Sequence, residues 1–353
     1  GYGSSEGGSV VRYALFRTPA IPVKDANGNW VDLPGTYYGD PVYNSFFGDG
    51  YSPEGLAAMT DRSIKTKSII ATTHLTFKFT KDIFWKNTFG IDYRNATNRV
   101  FNHTWGDSNR INATNSLNVN TSENFNWTFN STFNHSMEFA NDHHFSYLVG
   151  AELIRNSGYA TGMNNNAFVN TDPEFTYIGK GIGQKDVSES VSASSLLSFF
   201  ANVNYNYKSK YYVSAIIRED GSSRFSKGNR WGTFYSVSAG WNMEEEAWLK
   251  DNPTINKLKI RAGFGAIGNQ NIGLYAYSDR MVDGAYYMFG ENALNGYYQS
   301  TLANTNLKWE TSNQFNFGVD FEFLKGQFGV TADYYYKVTN NMLVQEALPL
   351  SVG

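Results

Sequence analysis

The stretch FNFGVDFEFLKGQFGVTADYYY, residues 315–336, decides the fold class of this 353-residue chain. Large apolar side chains occupy every second position on either side of Lys325-Gly326, and mostly polar residues and glycines fill the positions between them. An alternation with a period of two is typical of a β-strand with one apolar face, and a short polar break between two such runs predicts a β-hairpin. The stretch therefore predicts two antiparallel strands whose apolar side chains share one face.

Four more pairs of alternating runs precede this one and predict four more hairpins. The fourth pair is joined by a longer segment, in which MEEEAWLKD (residues 243–251) predicts a short helix. The chain should thus hold about ten strands. The runs of the five hairpins are residues 69–79 and 85–93, 125–133 and 145–153, 197–207 and 211–217, 235–241 and 258–266, and 315–323 and 328–336.

The composition agrees with an all-β chain and excludes several functional classes. Aromatic residues make up 16% of the chain and charged residues only 17%, a mixture that favours strands over helices. The net charge of -3 offers no basic excess for nucleic acid, and the absence of Cys excludes disulfides, thiolate zinc sites and cysteine nucleophiles. No apolar run approaches the roughly 18 residues of a membrane-spanning helix, so any membrane contact must be made another way, and a β-barrel remains permitted.

The connections between the predicted strands alternate in length. Breaks within hairpins are short, apart from the one at residues 243–251, whereas the segments between hairpins are long. Short turns at one end and long loops at the other are typical of outer-membrane barrels, and a β-sandwich has no reason for this asymmetry. The long segments are residues 96–122, 155–192, 219–230 and 267–307.

Aromatic residues bracket four of the short turns on the apolar face, and the opposite, polar face is rich in Asn, Ser, Thr, Lys, Arg and Gly. Aromatic rings settle at the membrane–water boundary, and a polar inner face suits a watery lumen. The sequence therefore predicts a transmembrane antiparallel β-barrel. Several strands exceed the roughly 9–11 residues that a bilayer requires, so they should project beyond it on the side of the long loops. The bracketing pairs are Phe79 and Trp85, Phe139 and Phe145, Tyr207 and Tyr211, and Phe323 and Phe328.

Several longer motifs follow one another in order along nearly the whole chain. Residues 218–225 fit RxDGSSRF, residues 258–273 read LKIRAGFGAIGNQNIG and residues 306–310 read NLKWE. The remaining motifs are ALFRTPAIPV (14–23), SENFNWTF (122–129), NRWGTF (229–234), SVSAGW (236–241) and DYYYKVTNNMLV (333–344). Together they resemble the motifs of the SusC/RagA family, the TonB-linked outer-membrane transporters of Bacteroidetes, although Tyr235 stands where that family usually has Pro and Asn341 where it often has Asp.

The resemblance implies a 22-stranded barrel, of which residues 1–353 supply roughly half as part of the barrel domain. A plug domain, a TonB box and a signal peptide would lie outside this chain. The resemblance also implies active import of a large nutrient, an oligosaccharide or an oligopeptide, by an integral protein of the outer membrane. A passive porin or a surface adhesin that binds through its loops is the alternative function, and a plug with a TonB box would exclude it.

The same resemblance implies the partners. They are a SusD-like surface lipoprotein over the long loops, TonB with ExbB and ExbD on the periplasmic side, outer-membrane lipid, and the glycan or peptide substrate. A second barrel–lipoprotein pair would make a dimer. Nucleic acid is not expected, because the chain has no basic excess.

Two segments hold the candidate functional residues. Seven aromatic residues crowd the Gly- and Asn-rich segment 267–307, and aromatic faces beside amides suit sugar rings or peptide side chains. Packing of this loop against its neighbours is the other interpretation. The second candidate is the family-motif loop. The loop aromatics are Tyr275, Tyr277, Tyr286, Tyr287, Phe289, Tyr297 and Tyr298, and the motif residues are Arg218, Asp220, Gly221, Arg224 and Phe225.

Other motifs predict no chemistry. Residues 263–268 fit GxGxxG, but no helical period follows them, which favours small residues of a strand over a dinucleotide site. His143 and His144 would point to opposite faces of a strand and lack a third ligand, and the acidic run 244–246 fits the dipole of the predicted short helix. Without a Ser/His/Asp order, HExxH or paired carboxylates, the sequence predicts no enzyme, no cofactor and no metal site.

Overall fold

The computed structural model describes residues 14–15, 21–28, 30–31, 39–40, 42, 52–107, 110–140, 142–250 and 252–345. Within these residues ten long strands form one sheet and four short strands form two separate hairpins. The strands are β1 Thr60–Lys78, β2 Ile83–Asn102, β3 Trp105–Asp107, β4 Arg110–Asn112, β5 Ser116–Phe139, β6 His143–Asn166, β7 Asp186–Tyr207, β8 Tyr211–Ser222, β9 Trp231–Asn242, β10 Ile255–Asn269, β11 Arg280–Phe289, β12 Asn292–Thr301, β13 Glu310–Phe323 and β14 Phe328–Asn340.

The ten predicted strands are confirmed, and strands that follow one another in the prediction are neighbours in the sheet. The order is β1-β2-β5-β6-β7-β8-β9-β10-β13-β14. In the last hairpin Phe315 lies opposite Tyr336 and Phe323 lies opposite Phe328, so the apolar side chains of both strands share one face, as predicted. The GxGxxG glycines lie inside β10, which confirms a strand at that position.

The predicted long loops are wrong in extent, because the strands continue into them. β2 runs on to Asn102 and β5 already begins at Ser116, and the small hairpins β3–β4 and β11–β12 lie inside segments predicted as loops. Beyond the apolar run both faces of a strand carry polar residues, so the alternation disappears, although the backbone can still pair. Strands of 19 to 24 residues result, which agrees with the prediction of strands longer than a bilayer requires.

The predicted helix at 243–251 is wrong over the described residues 243–250, which hold a single 3-10 turn, Met243–Glu245. The acidic run is therefore not explained by a helix dipole, and this interpretation was wrong. The Glu246 carboxylate accepts hydrogen bonds from the Tyr211 hydroxyl at 2.5 Å and the Trp241 indole at 3.1 Å. It also lies 3.4 Å from the Lys210 ammonium. These contacts tie the β9–β10 connection to the aromatic residues at the strand ends.

A helix that the sequence analysis missed, α1, spans Pro53–Ala58. Ser52 caps it by accepting a hydrogen bond from the Gly55 N–H at 3.1 Å, with Pro53 in the first turn and Glu54 beside the positive end of the dipole. All three signals stand in the sequence. A second 3-10 turn is Ile178–Lys180. In the described part of the chain, no helix is long and apolar enough to cross a membrane.

The chain divides into two compact units. Unit 1 comprises Gly1–Ser68, Tyr93–Asn124 and Gly158–Val191, and unit 2 comprises Ile69–Asp92, Phe125–Ser157 and Ser192–Gly353. Three of the division points coincide with places where the predicted apolar runs start or stop, at residues 69, 93 and 125. At these three points the boundary between the units therefore coincides with the change from an alternating to a polar sequence.

Unit 1 has its own small core. Phe101, Leu117 and Phe168 are buried together, and the rings of Phe101 and Phe168 meet edge to face with centroids 5.4 Å apart. The Asn115 side chain imitates a strand partner: its amide donates to the Phe168 carbonyl at 2.9 Å and its oxygen accepts from the Phe168 N–H at 2.6 Å. Phe101 and Leu117 continue the apolar face of their strands, so the loop that carries Phe168 covers that face.

Candidate functional site

The family-motif loop begins at Arg218 on the polar face of β8. The Arg218 guanidinium donates to Glu152 at 2.9 Å, to Ser198 at 2.8 Å and to Asp220 at 2.6 Å, and it lies over the Phe200 ring. The Arg218 side chain is 32% exposed, Glu152 20% and Asp220 11%. One cation thus joins carboxylates and a hydroxyl of β6, β7 and β8, and such charge-assisted hydrogen bonds are strong when they are half-buried.

The serines of the motif shape the turn that follows. The Ser222 hydroxyl accepts a hydrogen bond from the Arg224 N–H at 3.1 Å, and the Ser223 hydroxyl accepts from the Ser195 N–H at 2.9 Å. Gly221 is required because a Cβ there would lie 2.8 Å from the Trp231 ring. The motif is therefore a set of backbone-fixing contacts.

A buried aromatic cluster, here called the aromatic knot, holds the end of the motif. It consists of Phe225, Phe234 and Trp309, with the Trp309 ring 5.3 Å from each of the two phenylalanine rings. The Trp309 indole N–H donates to the Arg230 carbonyl at 2.8 Å. A Cβ at Gly268 would overlap the Phe234 ring. Three of the motifs that carry the resemblance, RxDGSSRF, NRWGTF and NLKWE, thus each supply one ring of the knot.

The motif loop also fixes both ends of the segment that carries the candidate aromatics. Arg224 donates to the Ile272 carbonyl, and Ser226 and Asn229 donate to the Thr305 carbonyl at 2.7 and 2.8 Å. The motif loop therefore holds both ends of residues 273–304.

Five of the seven candidate aromatics lie together on the β11–β12 hairpin, and Tyr275 and Tyr277 precede it. Tyr287 lies opposite Leu294 and Tyr286 opposite Asn295, and because successive side chains of a strand alternate, both faces of the hairpin carry aromatic rings. Tyr286 is 72% and Phe289 73% exposed. All five rings of the hairpin are more than half exposed within the described residues. The five are Tyr286, Tyr287, Phe289, Tyr297 and Tyr298.

Tyr275 differs from the hairpin residues. Its φ of +59° is left-handed, a conformation that is uncommon for residues other than glycine. Tyr275 is 54% exposed, whereas Tyr277 is half-buried. The sequence pattern grouped these two tyrosines with the hairpin, but the structure does not place them on it.

A cavity of 1190 Å³ lies in unit 2, and both polar-face and apolar-face residues of the strands line it. Serine, asparagine, glutamine and glycine supply 13 of its 30 lining residues. Arg261 in the wall is paired: it donates to both oxygens of Asp320 at 2.9 and 3.0 Å and to Asp333 at 3.0 Å. Lys259 lies over the Tyr212 ring. Members of the wall include Asn204, Asn206, Ser214, Ser236, Ser238, Gly263, Gly265 and Asn316.

The two adjacent histidines are engaged separately. His143 shares a 2.7 Å hydrogen bond with the Tyr205 hydroxyl, and His144 shares one of 3.0 Å with Glu138. Among the residues that the structure describes, no group of three or more His, Cys, Asp or Glu side chains could hold a metal ion. What the arrangement can do is contact a large hydrated solute through amides, hydroxyls and exposed rings.

Sequence reasoning missed several of the residues that build the site. Glu152 and Ser198 complete the cluster around Arg218, and both stand on the polar faces of runs that were recognised as strands. Phe234 and Trp309 lay inside quoted motifs without a role. Their place in these motifs is the sequence signal that could have identified them as site residues.

Comparison with known proteins points to one family. The family described as "TonB dependent receptor-like, beta-barrel" matches residues 16–352. The chain is 30% identical over 359 residues to TonB-dependent receptor P3 of Formosa agariphila, which covers 98% of this chain and 33% of that protein. It is 40% identical over 167 residues to TonB-dependent receptor SusC of Bacteroides thetaiotaomicron, which covers 45% of this chain and 16% of that protein. The chain thus spans about a third of the length of the first of these relatives.

A solved structure agrees with the sequence comparison. The structure of the RagAB peptide transporter matches with a TM-score of 0.82 and 21% identity, over 100% of this chain and 38% of that chain. At this identity the likeness shows the fold alone. The chain therefore belongs to the TonB dependent receptor-like β-barrel family as a SusC/RagA-like member, an all-β integral protein of the outer membrane with the strands of an antiparallel transmembrane barrel.

Proposed function

We propose that the protein actively imports a large nutrient, an oligosaccharide or an oligopeptide, across the outer membrane. In this proposal residues 1–353 form part of the barrel domain, and a plug domain and further strands complete it. A SusD-like lipoprotein covers the long-loop side, and TonB with ExbB and ExbD supplies the energy from the periplasmic side. A dimer of barrel–lipoprotein pairs is the proposed assembly. No catalytic step is part of it.

The observation that carries the proposal is the polar cavity of unit 2. Its volume of 1190 Å³ exceeds the 300–1,000 Å³ typical of pockets for single small molecules. Arg261 of its wall is paired with Asp320 and Asp333, and Lys259 lies over the Tyr212 ring. The remaining amides and hydroxyls offer hydrogen bonds without a net charge, which suits a long, hydrated, uncharged or weakly charged solute.

The hairpin β11–β12 is the proposed capture element. Its five exposed rings bind by stacking on sugar rings or on peptide side chains, and the neighbouring Asn295 and Gln299 offer amides for hydrogen bonds. The two fixed ends of residues 273–304 keep the hairpin in one place. The named relatives are receptors, and one neighbour in fold is a peptide transporter, so both substrate classes stay in the proposal.

Uptake by cells tests the proposal. Strains lacking TonB, or lacking the lipoprotein partner, should lose accumulation of the labelled oligomer, because passage through the barrel requires both. Unchanged uptake in either strain would contradict the proposal. It would favour the passive porin instead, and flux through the purified protein in vesicles without TonB would confirm that alternative.

Variants of the hairpin test the capture element separately. Tyr286→Ala with Tyr297→Ala should reduce binding of the oligomer about tenfold or more, because two stacked rings contribute roughly 1–3 kcal/mol together. Tyr177→Ala is the matched control, since Tyr177 is an equally exposed tyrosine of unit 1. Equal losses in both variants would show that the hairpin has no special role.

A further inference from the structure

Three cations follow one another along the polar face of β10 in unit 2. Lys257, Lys259 and Arg261 stand two residues apart, so their side chains leave the strand on the same face. Lys257 forms an ion pair with a carboxylate of β13, and Arg261 forms ion pairs with carboxylates of β13 and β14. Two of the three cations are thus neutralised within the sheet, and Lys259 between them has a different environment.

Glycines on the neighbouring strands let two of these side chains run in opposite directions. Arg261 crosses Gly318 of β13, where a Cβ would lie 2.8 Å from its Nη2, and reaches the carboxylate on β14. Lys259 passes Gly240 of β9, where a Cβ would lie 3.6 Å from the Lys259 Cε, and ends over the Tyr212 ring of β8. A side chain of β10 that crosses β13 therefore meets carboxylates, whereas the one that crosses β9 meets an aromatic ring.

The Tyr212 ring holds the Lys259 ammonium without neutralising it. The Nζ atom lies 5.3 Å from the ring centroid, and the ring is itself fixed, because the Tyr212 hydroxyl donates to the Ser209 carbonyl at 2.9 Å. A cation–π contact orients an ammonium group but supplies no negative charge and no lone-pair acceptor for its three donors. Lys259 is half-buried and lines the cavity. Its donors are therefore open to a solute in the cavity.

The acidic residues around Lys259 are engaged with other groups. Asp320 lies opposite Lys259 in the pairing of β10 with β13, but its two oxygens accept hydrogen bonds from Arg261. Glu244 accepts a hydrogen bond from the Leu258 N–H at 3.2 Å. Within the described residues, Lys259 thus has no carboxylate partner. The acidic residues that line the cavity contact Lys81, His144 and Arg261, and they are Asp82, Glu138 and Asp333.

We propose that Lys259 binds a carboxylate of the transported oligomer, so that the cavity favours acidic oligomers over neutral ones. The inference rests on the proposed import function and specifies its substrate class. An ammonium group attracts a carboxylate by charge and donates hydrogen bonds to it, and this attraction is stronger in a half-buried site than in open water. Uronic acids of an oligosaccharide and acidic side chains of a peptide present the same group, so the site recognises the carboxylate itself.

Calorimetric binding to the purified full-length protein in detergent tests the inference with two pairs of probes. Tetragalacturonic acid is compared with its neutral methyl ester, and a pentapeptide with two glutamates is compared with its glutamine counterpart. In the pair that binds, the acidic member should bind about tenfold more tightly, because a hydrogen bond to a charged group contributes about that factor. The pair that binds also distinguishes a glycan from a peptide as the source of the carboxylate.

Variants of the two lysines on β10 assign the preference to one residue. Lys259→Gln should make the affinities for the acidic and neutral probes equal, and Lys259→Arg should keep the preference. Lys257→Gln is the matched control, because Lys257 lies on the same face of the same strand but is paired with Glu322. This control should leave the preference unchanged.

Three results would overturn the proposal. They are equal affinity of the unchanged protein for acidic and neutral probes, a preference that survives Lys259→Gln, and binding of none of the four probes. A failure of the import function has a different signature. Uptake that persists in cells without TonB would remove active import, whereas the preference of the purified protein for carboxylates would remain.

Discussion

The aromatic knot and the β11–β12 hairpin are both rich in aromatic residues, and they differ in nearly everything else. In the knot Phe225 is fully buried and Trp309 is 7% exposed, and a hydrogen bond fixes the indole. On the hairpin, Tyr286 and Phe289 keep 72% and 73% of their surface exposed. The knot holds the backbone of the motif loop in place, whereas the hairpin exposes its rings to solvent.

The difference shows how to divide aromatic residues in a loop-rich protein. The three rings of the knot lie inside quoted motifs and the rings of the hairpin lie outside all of them, but burial makes the division, because the motif rings Trp231 and Tyr334 are 49% and 62% exposed. A buried ring has a single set of neighbours and tolerates few substitutions. An exposed ring is free to contact a ligand, and substitution there costs the fold little.

The largest expected effect is at the centre of the knot. Trp309→Ala should lower the free energy of unfolding by about 3–5 kcal/mol, because it leaves a cavity between two rings and removes the hydrogen bond to the Arg230 carbonyl. Urea unfolding of the full-length protein in detergent measures it. Trp248→Ala is the control, since Trp248 is 65% exposed. A similar loss in both variants would remove the distinction between buried and exposed rings.

A smaller loss is expected where the knot needs the absence of a side chain. Gly268→Ala should destabilise the protein by about 1–3 kcal/mol, because its Cβ would overlap the Phe234 ring. Gly263→Ala in the same strand should be nearly neutral, since its Cβ would lie 3.6 Å from the Ser238 Cβ, an ordinary contact. Equal melting temperatures of the two variants would show that Phe234 moves aside freely.

The Arg218 cluster joins β6, β7 and β8, and the motif that begins at Arg218 ends at Phe225 of the knot. Arg218→Met should cost about 1–2 kcal/mol, because it leaves the buried Asp220 and the half-buried Glu152 without their cation, and the partial exposure of Arg218 and Glu152 limits the loss. Adding Glu152→Gln should restore part of the stability by removing one of the two charges. A double-mutant cycle measures the coupling. Strict additivity of the two substitutions would contradict a direct pair.

The smallest effect on stability is expected at the hairpin. Tyr286→Ala with Tyr297→Ala should change the free energy of unfolding by less than about 0.5 kcal/mol per residue, because both rings are exposed. The same variant is expected to lose oligomer binding, so the comparison between the regions predicts opposite profiles for Trp309 and Tyr286. A clear drop in the unfolding midpoint of the hairpin variant would show that its rings pack.

Most of the sheet could be predicted from the sequence, because a strand with one apolar face repeats every two residues. Runs such as 315–323 and 328–336 show this without interruption. The strand ends could not be predicted, since polar residues dominate β2 beyond residue 93 and β5 before residue 125, and Phe101 and Leu117 stand too far from the apolar runs to extend the alternation. The hairpin β11–β12 was hidden for the opposite reason: both of its faces carry large rings, so no alternation marks it.

The candidate site divides in the same way. Arg218 and Asp220 were recognisable because they lie two residues apart in one motif, and their direct contact follows from the period of a strand. Glu152 and Ser198 approach Arg218 only through the register of three strands, which residue patterns do not specify. Trp309 stands 84 positions after Phe225, and a contact over that distance depends on the whole topology.

The carboxylate in the β9–β10 connection also makes that end of the sheet respond to acid. Hydrogen bonds from the Tyr211 hydroxyl, and next from the Trp241 indole, hold the pKa of Glu246 below its ordinary value. Because the pKa is lower in the folded protein than in the unfolded chain, these contacts stabilise fully above about pH 4.3 and are lost as the pH falls through the lowered pKa. Amide exchange in residues 243–250 should therefore accelerate only in strong acid, and Glu246→Gln should remove that dependence. The β9–β10 connection therefore keeps its hydrogen bonds to Tyr211 and Trp241 in mildly acidic solution.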